Sequence, residues 1–291
     1  ILPFDSATLS KAQYLLTGTM SRVGDKSRHA LHIDLALTDL KNGTVVAQAS
    51  ALARDQGLDH TPLAYYRDSP ILVKDQVTDG YARTSSTPPG QHADAFYFDR
   101  IATATLISEA TALYNQERYE PSLDLYRRAL ATPSGEQIRV LNGIYLATAR
   151  LGRSAEAEQA FGRIVAFGIA HNQLGVKFLF NPGSTEFWAD PKVSGAYAMW
   201  LRQIAKESTA AHACMDIVGH TSRTGSEQSN DVLSLQRANF IRQRLTADAP
   251  LLTERTKTSG MGFRQNIVGS GTDNAVDALD RRVEFKIVPC S

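Results

Sequence analysis

Between His29 and Leu40 the side chains alternate: Leu31, Ile33, Leu35 and Leu37 fall on one side, and His32, Asp34, Ala36 and Thr38 on the other. That is the period of a half-buried strand. Lys41-Asn42-Gly43 follows, and Asn-Gly accepts the positive φ of a tight turn. Val45, Ala47, Ala49, Ala51 and Ala53 share one side of the next stretch, which predicts a hairpin, with Gln13 to Met20 as a preceding strand. After the loop Thr84-Ser85-Ser86-Thr87-Pro88-Pro89-Gly90 the period lengthens to that of helices. Leu106, Ala110 and Leu113 share a face, then Leu123, Tyr126 and Leu130, then Ile138, Leu141 and Tyr145, then Ala157, Phe161 and Ile164. Four short helices of this kind predict two helical hairpins.

From Val176 onward strands and helices alternate. Val176 to Phe180 reads as a strand. Asp190-Pro191 starts a helix, with Asp as cap and Pro in the first turn; Val193, Tyr197, Trp200 and Ile204 form its buried stripe. Met215 to Val218 is a second strand. A polar loop and a helix over about 230–245 follow, then strands at Thr256 to Met261 and Arg282 to Val288. The order is β-α-β-α-β-β. The predicted fold class is therefore a multidomain α+β protein: an α+β domain over 1–99, two helical hairpins over 100–174, and a βαβαββ domain over 175–291.

Composition excludes more than it assigns. Hydrophobic residues make up 43% of the 291 and charged residues 21%, with a formal charge of +1, values of a globular chain. Lysines and arginines are scattered among acids, without the basic stripe of a nucleic-acid binder. No apolar run is long enough to span a bilayer. The opening Ile-Leu-Pro-Phe-Asp has no basic or apolar signal region, so the chain is either cytosolic or numbered after an export signal. Two cysteines, Cys214 and Cys290, are by count alone compatible with two separate buried thiols.

Chemistry-bearing motifs concentrate near the C-terminus. Gly219-His220-Thr221-Ser222-Arg223-Thr224-Gly225, then Asn230, then Leu233-Ser234-Leu235-Gln236-Arg237-Ala238, and finally Asp280-Arg281-Arg282-Val283-Glu284-Phe285 resemble the C-terminal domain of outer membrane protein A. The family pattern reads GHTD, a glycine three residues on, Asn, LSxxRA and NRRVE. The resemblance covers Val176 to Val288 and implies a peptidoglycan-associating domain that holds the diaminopimelate residue of the stem peptide. It implies that Arg237 takes the diaminopimelate carboxylate, that Thr224 and Asn230 line the pocket, and that one of Arg281 and Arg282 faces it, since strand neighbours point opposite ways. A loop of small residues feeding a helix start also suits an anion, and Arg237 is expected near that start. The family's acid, which takes the ammonium, is here Ser222. Glu227 and Asp231 are the nearby acids that could stand in for it. Asp280 replaces the family's Asn. In the family's sheet the second and last strands are antiparallel neighbours, which implies a Cys214–Cys290 disulfide and an oxidising compartment.

Two further resemblances concern the rest of the chain. Ser122 and Ala157, and Tyr126 and Phe161, recur at a spacing of 35, and with Pro133 the hairpins resemble tetratricopeptide repeats. Two repeats are too few to bury their own faces, so they are expected to pack on flanking domains. Gln13-Tyr14-Leu15-Leu16-Thr17-Gly18 and Leu35-Ala36-Leu37-Thr38-Asp39-Leu40 resemble the strands of LpoB-like outer-membrane lipoproteins, which bind partner proteins.

Enzyme chemistry finds little footing. His60, His92, His171, His212 and His220 show no zinc spacing, and His220 with Ser222 lacks the third member of a triad. Gly260-Met261-Gly262 and Gly269-Ser270-Gly271 open no helix after a strand and read as turns. The resemblance implies a non-enzymatic periplasmic protein associated with the outer membrane, without a cofactor or nucleic acid. It would be tethered to peptidoglycan, docked to envelope proteins, and linked to the membrane only through a removed lipid anchor. The alternative is an envelope scaffold, serving a secretion system or a cell-wall synthase, whose OmpA-like domain no longer binds the wall.

Overall fold

The structure, a computed structural model, describes residues 12–22, 30–54, 62–72 and 76–290. His29 and His60 lie outside them. The chain divides into two compact units, 1–67 with 74–143, and 68–73 with 144–291.

In the first unit, β1 (Tyr14–Arg22), β2 (Ala30–Asp39) and β3 (Val45–Arg54) form an antiparallel sheet in that order. The hairpin and its preceding strand are as predicted, but the face that carries the core is different. Thr17, Ala36, Thr38 and Val45 are buried, whereas of the leucine-rich set only Leu31 is; Leu35 stays exposed, as do Leu16 and Met20 across from it. A register shift opposite Leu37 and Thr38 moves Val45 to the face opposite Ala47, Ala49 and Ala51. A bulge inserts one residue, and one residue inverts the face. α1 (Ala64–Asp68) follows β3 in the chain, and the inner face meets α2 (Gln76–Ser85) and α3 (Ala95–Phe98). Val77, Tyr97 and Ile101 form a core there with Leu15, Leu40, Tyr81 and Phe98. Tyr81 Oη donates to Gly18 O and accepts from Gly18 N, tying α2 to β1.

The four helices are α4 (Ile101–Asn115), α5 (Tyr119–Leu130), α6 (Ile138–Arg150) and α7 (Ser154–Ala170). The matched positions Ser122, Tyr126, Ala157 and Phe161 are all buried. Ser122 Oγ donates to Ala110 O, and Phe161 stacks on Trp200 at 5.3 Å. The second hairpin thus packs on the helix that carries Trp200.

The second unit is built on the sheet β4-β7-β5-β6: β4 (Phe178–Leu179), β5 (Cys214–Gly219), β6 (Thr256–Gly260) and β7 (Arg282–Val288). β5 and β7 are antiparallel, and β5 and β6 are parallel. Besides α7, which also falls in this unit, its helices are α8 (Pro191–Ser194), α9 (Tyr197–Ala210) and α10 (Glu227–Asp248). Asp190 caps α8 as expected, accepting from Lys192 N. That turn stops at Gly195 and a new helix starts at Tyr197, so Val193 lies outside the buried stripe of Tyr197, Trp200 and Ile204. Cys214 opens β5 opposite Val288, and its sulfur is bonded to that of Cys290, with the Cα atoms 5.2 Å apart. Among the described residues no helix is long and apolar enough to cross a membrane.

Lys177 precedes β4 and is buried, its Nζ donating to Ser69 O at 2.8 Å and Ile71 O at 3.2 Å. Burial lowers its ammonium to about 8. The unfolded chain binds that proton more tightly, so stability rises with pH between about 8 and 10.5. Trp188 and Trp200 both sit in this unit, so their fluorescence reads its unfolding. The unit is expected to gain about 2 kcal/mol between pH 7 and 9.5, and Lys177→Met should abolish the gain. A wild-type midpoint that is flat over this range contradicts the assignment.

Candidate functional site

The site grows out of the end of β5. Gly219 lies so close to α10 that a Cβ there would meet Ser234 O at 1.9 Å, and Gly225 takes φ +87°, a value that side chains resist. The loop between them turns sharply into α10, whose cap Ser226 accepts from Ser229 N. Asn230, buried, donates from Nδ2 to Thr224 O and Ser226 O and binds the loop to the helix. Loop and helix border a cavity of about 600 Å³ lined by Ser222, Thr224, Asn230, Gln236, Arg237 and Asp273, among others.

Arg237, one of the lining residues, is wholly buried. Three main-chain carbonyls hold it: Nε donates to Ser184 O, Nη1 to His220 O and Nη2 to Asn181 O, each at 2.9 Å. It lies about three turns into α10 rather than near its start, because the helix begins at Glu227. The first turn still lines the cavity through Gln228, Ser229 and Asn230. The carbonyl cage rather than the helix terminus therefore orients the guanidinium. Burial, together with the nearby charge of Arg281, lowers it to about 10 against the opposing effect of Asp273, so it stays a cation at neutral pH.

Ser222 is not without a carboxylate. Its Oγ donates to Asp273 Oδ1 at 2.6 Å, and Thr224 Oγ1 donates to Asp273 Oδ2 at 3.2 Å. Glu227 and Asp231, the acids that chain proximity offered, are engaged with Arg264 instead, at 2.9 and 2.7 Å. Of the paired arginines, Arg281 points to this side and donates to Asp273 Oδ1 at 2.7 Å and to Phe180 O. Arg282 points the other way, to Glu284. There His220 Nε2 lies 3.0 Å from Glu284 Oε1. Burial would raise the Glu284 carboxyl, but His220 and Arg282 outweigh it and hold it at about 2.

Sequence reasoning missed Asp273 and Asp277, and it named Asp280 only as a replacement for the family's Asn. Buried Asp277 accepts from the main-chain N–H groups of Ser270, Thr272 and Asp273. Buried Asp280 accepts from those of Ile267, Val268 and Gly269. Burial acts to raise the Asp277 carboxyl, and these donors, with the Ser270 hydroxyl, lower it overall. The replacement of the family's Asn by Asp280 was visible in the sequence, and Asp280 anchors this loop. Among the described residues no group of three or more His, Cys, Asp and Glu side chains is placed to hold a metal.

Residues 179–278, which carry this sheet and cavity, match the sequence profile of the OmpA family. The chain carries an OmpA-family domain in its C-terminal unit. Similar solved structures include the peptidoglycan-associated lipoprotein of Burkholderia pseudomallei, 20% identical over 38% of this chain and 89% of that one, with a TM-score of 0.34. The periplasmic domain of Helicobacter pylori MotB is 16% identical over 39% and 71%, with a TM-score of 0.31. The cell wall anchor of the T6SS from Pseudomonas aeruginosa is 20% identical over 38% and 73%, with a TM-score of 0.30. No curated protein matches the chain. The tetratricopeptide and LpoB-like resemblances gain no support from these comparisons.

Proposed function

We propose that this chain is a non-enzymatic periplasmic protein of the bacterial envelope that holds peptidoglycan in the Arg237 cavity and docks protein partners through its other modules. The reading keeps three modules, over 1–99, 100–174 and 175–291. One observation carries it: a buried guanidinium, charged at neutral pH, lines a cavity with part of its hydrogen-bonding capacity unspent. Arginine has five N–H donors, and three are committed to carbonyls. The two that remain suit a carboxylate such as that of diaminopimelate. The OmpA-family match supports the same ligand class, and the disulfide fits an oxidising compartment. The exposed apolar side chains of the N-terminal sheet, Leu16, Met20 and Leu35, favour a docking role there.

A second reading rests on Ser222: a domain with a hydroxyl where its family has an acid serves as an envelope scaffold without affinity for the wall. Cosedimentation with purified sacculi separates the two. The tether reading expects retention that the tripeptide L-Ala-γ-D-Glu-meso-diaminopimelate displaces. The same peptide with lysine in third place, which lacks the carboxylate, should be at least about 10-fold less effective. Absence of retention at low salt leaves the scaffold.

A further inference from the structure

Among the described residues two side chains that line the cavity are of opposite charge type, the guanidinium of Arg237 and the carboxyl of Asp273. A cavity with one guanidinium and one carboxylate matches a ligand end that carries both a carboxylate and an ammonium. We propose, resting on the tether reading above, that Asp273 receives the ammonium of the bound diaminopimelate, a role that the hydroxyl of Ser222 cannot fill, and that Ser222 serves instead to orient Asp273.

The geometry suits this division of labour. Ser222 and Arg281 are buried, at 4% and 1% exposure, whereas the Asp273 side chain keeps 25% and fronts the cavity. Its Oδ1 already accepts from Ser222 and Arg281, at 2.6 and 2.7 Å. Among the described residues its Oδ2 accepts from Thr224 alone, at 3.2 Å. A carboxylate has about four acceptor positions, so Oδ2 has room for a further donor. The residue is also held in place. It sits at φ +56°, and Asp277 clamps its N–H along with those of Ser270 and Thr272. Asp280 clamps the three preceding N–H groups. Such anchoring fixes a binding group before the ligand arrives. Arg281 offsets part of the negative charge without closing the outer oxygen, so the acid is both tolerated in a half-buried place and available.

The test is a ratio of affinities, which a purely structural role for Asp273 would leave unchanged. Calorimetric titration compares the diaminopimelate tripeptide with an analogue whose third residue is 2-aminopimelate, keeping the distal carboxylate and lacking the ammonium. The wild type is expected to prefer the diaminopimelate peptide by about 10- to 100-fold, the range of a charge-assisted hydrogen bond. In Asp273→Asn the two peptides should bind alike. Ser222→Asp alone presses two carboxylates together, since Ser222 Oγ and Asp273 Oδ1 are 2.6 Å apart, and should weaken binding. The exchange Ser222→Asp with Asp273→Ser should restore the preference. A wild-type preference that persists in Asp273→Asn overturns the assignment of Asp273 and leaves the tether standing. Failure of the wild type to bind either peptide, or sacculi, overturns the tether and this inference with it.

Discussion

Arg237→Ala is expected to abolish retention on sacculi and to lower the unfolding midpoint of the C-terminal unit by roughly 8–16 °C. The side chain is wholly buried and donates to three main-chain carbonyls, from Asn181, Ser184 and His220. Hydrogen bonds from a charged donor contribute roughly 1.5–3 kcal/mol each. They are not additive, so a net loss on the order of 4 kcal/mol is expected. For a unit of this size that corresponds to roughly 2–4 °C per kcal/mol. Arg237→Lys keeps the charge but cannot span three divergent carbonyls, and should fall between wild type and alanine in stability while still losing the planar fork that suits a carboxylate. Tryptophan fluorescence on heating gives the midpoint, and cosedimentation gives the retention. An alanine variant as stable as the wild type would mean that the carbonyl cage does not hold this side chain.

The second large effect belongs to the disulfide. Cys214 and Cys290 are 76 residues apart, and β5 and β7 lie between them in the same sheet. Closing a loop of that length removes entropy from the unfolded chain equivalent to roughly 4–5 kcal/mol. The double variant Cys214→Ser, Cys290→Ser should therefore lose roughly 8–20 °C in midpoint, and the wild type in strong reductant should approach it. The bond joins the edge of the β5–β7 pair remote from the cavity, beyond Val288 rather than at Gly219. Ligand preference should consequently survive the change below the lowered midpoint. A midpoint that reductant leaves untouched would show that the thiols are not paired in the protein.

Much of the architecture was legible along the chain because it is written in short periods. The alternation in 30–39 and the motif at 282–288 both mark strands, and the i, i+3, i+4 pattern marks the helices of 101–170. What the period cannot state is which face is the core. Leu35 looked as much a core residue as Leu31, yet the helix with Tyr81 covers the Thr17 and Ala36 side, and Leu35 remains in the open. Val45 changed faces through a single bulged residue. Gly195 split the helix expected from Asp190 onward, an interruption that a stripe of large residues does not reveal.

The candidate site divides along the same line. Arg237, Thr224 and Asn230 were named from one continuous motif, and the structure brings all three to one cavity. Local chain distance pointed to Glu227 and Asp231 as replacements for the missing acid, and both are spent on Arg264. The carboxylate that meets Ser222 comes from 51 residues away, in a loop with no hydrophobic period, held by main-chain donors to Asp277 and Asp280.

By itself, the order of residues determined the strands and helices, the guanidinium, the small-residue loop and the absence of an acid at position 222. Those are properties of local spacing and side-chain chemistry. Tertiary structure decided that Arg237 is caged by carbonyls deep within its helix, that Arg281 and not Arg282 turns toward the cavity, and that Asp273 meets Ser222. The reason is that hydrogen bonds between distant segments depend on how the β5–β7 pair and the 267–273 loop come together in space, and chain spacing does not encode that proximity.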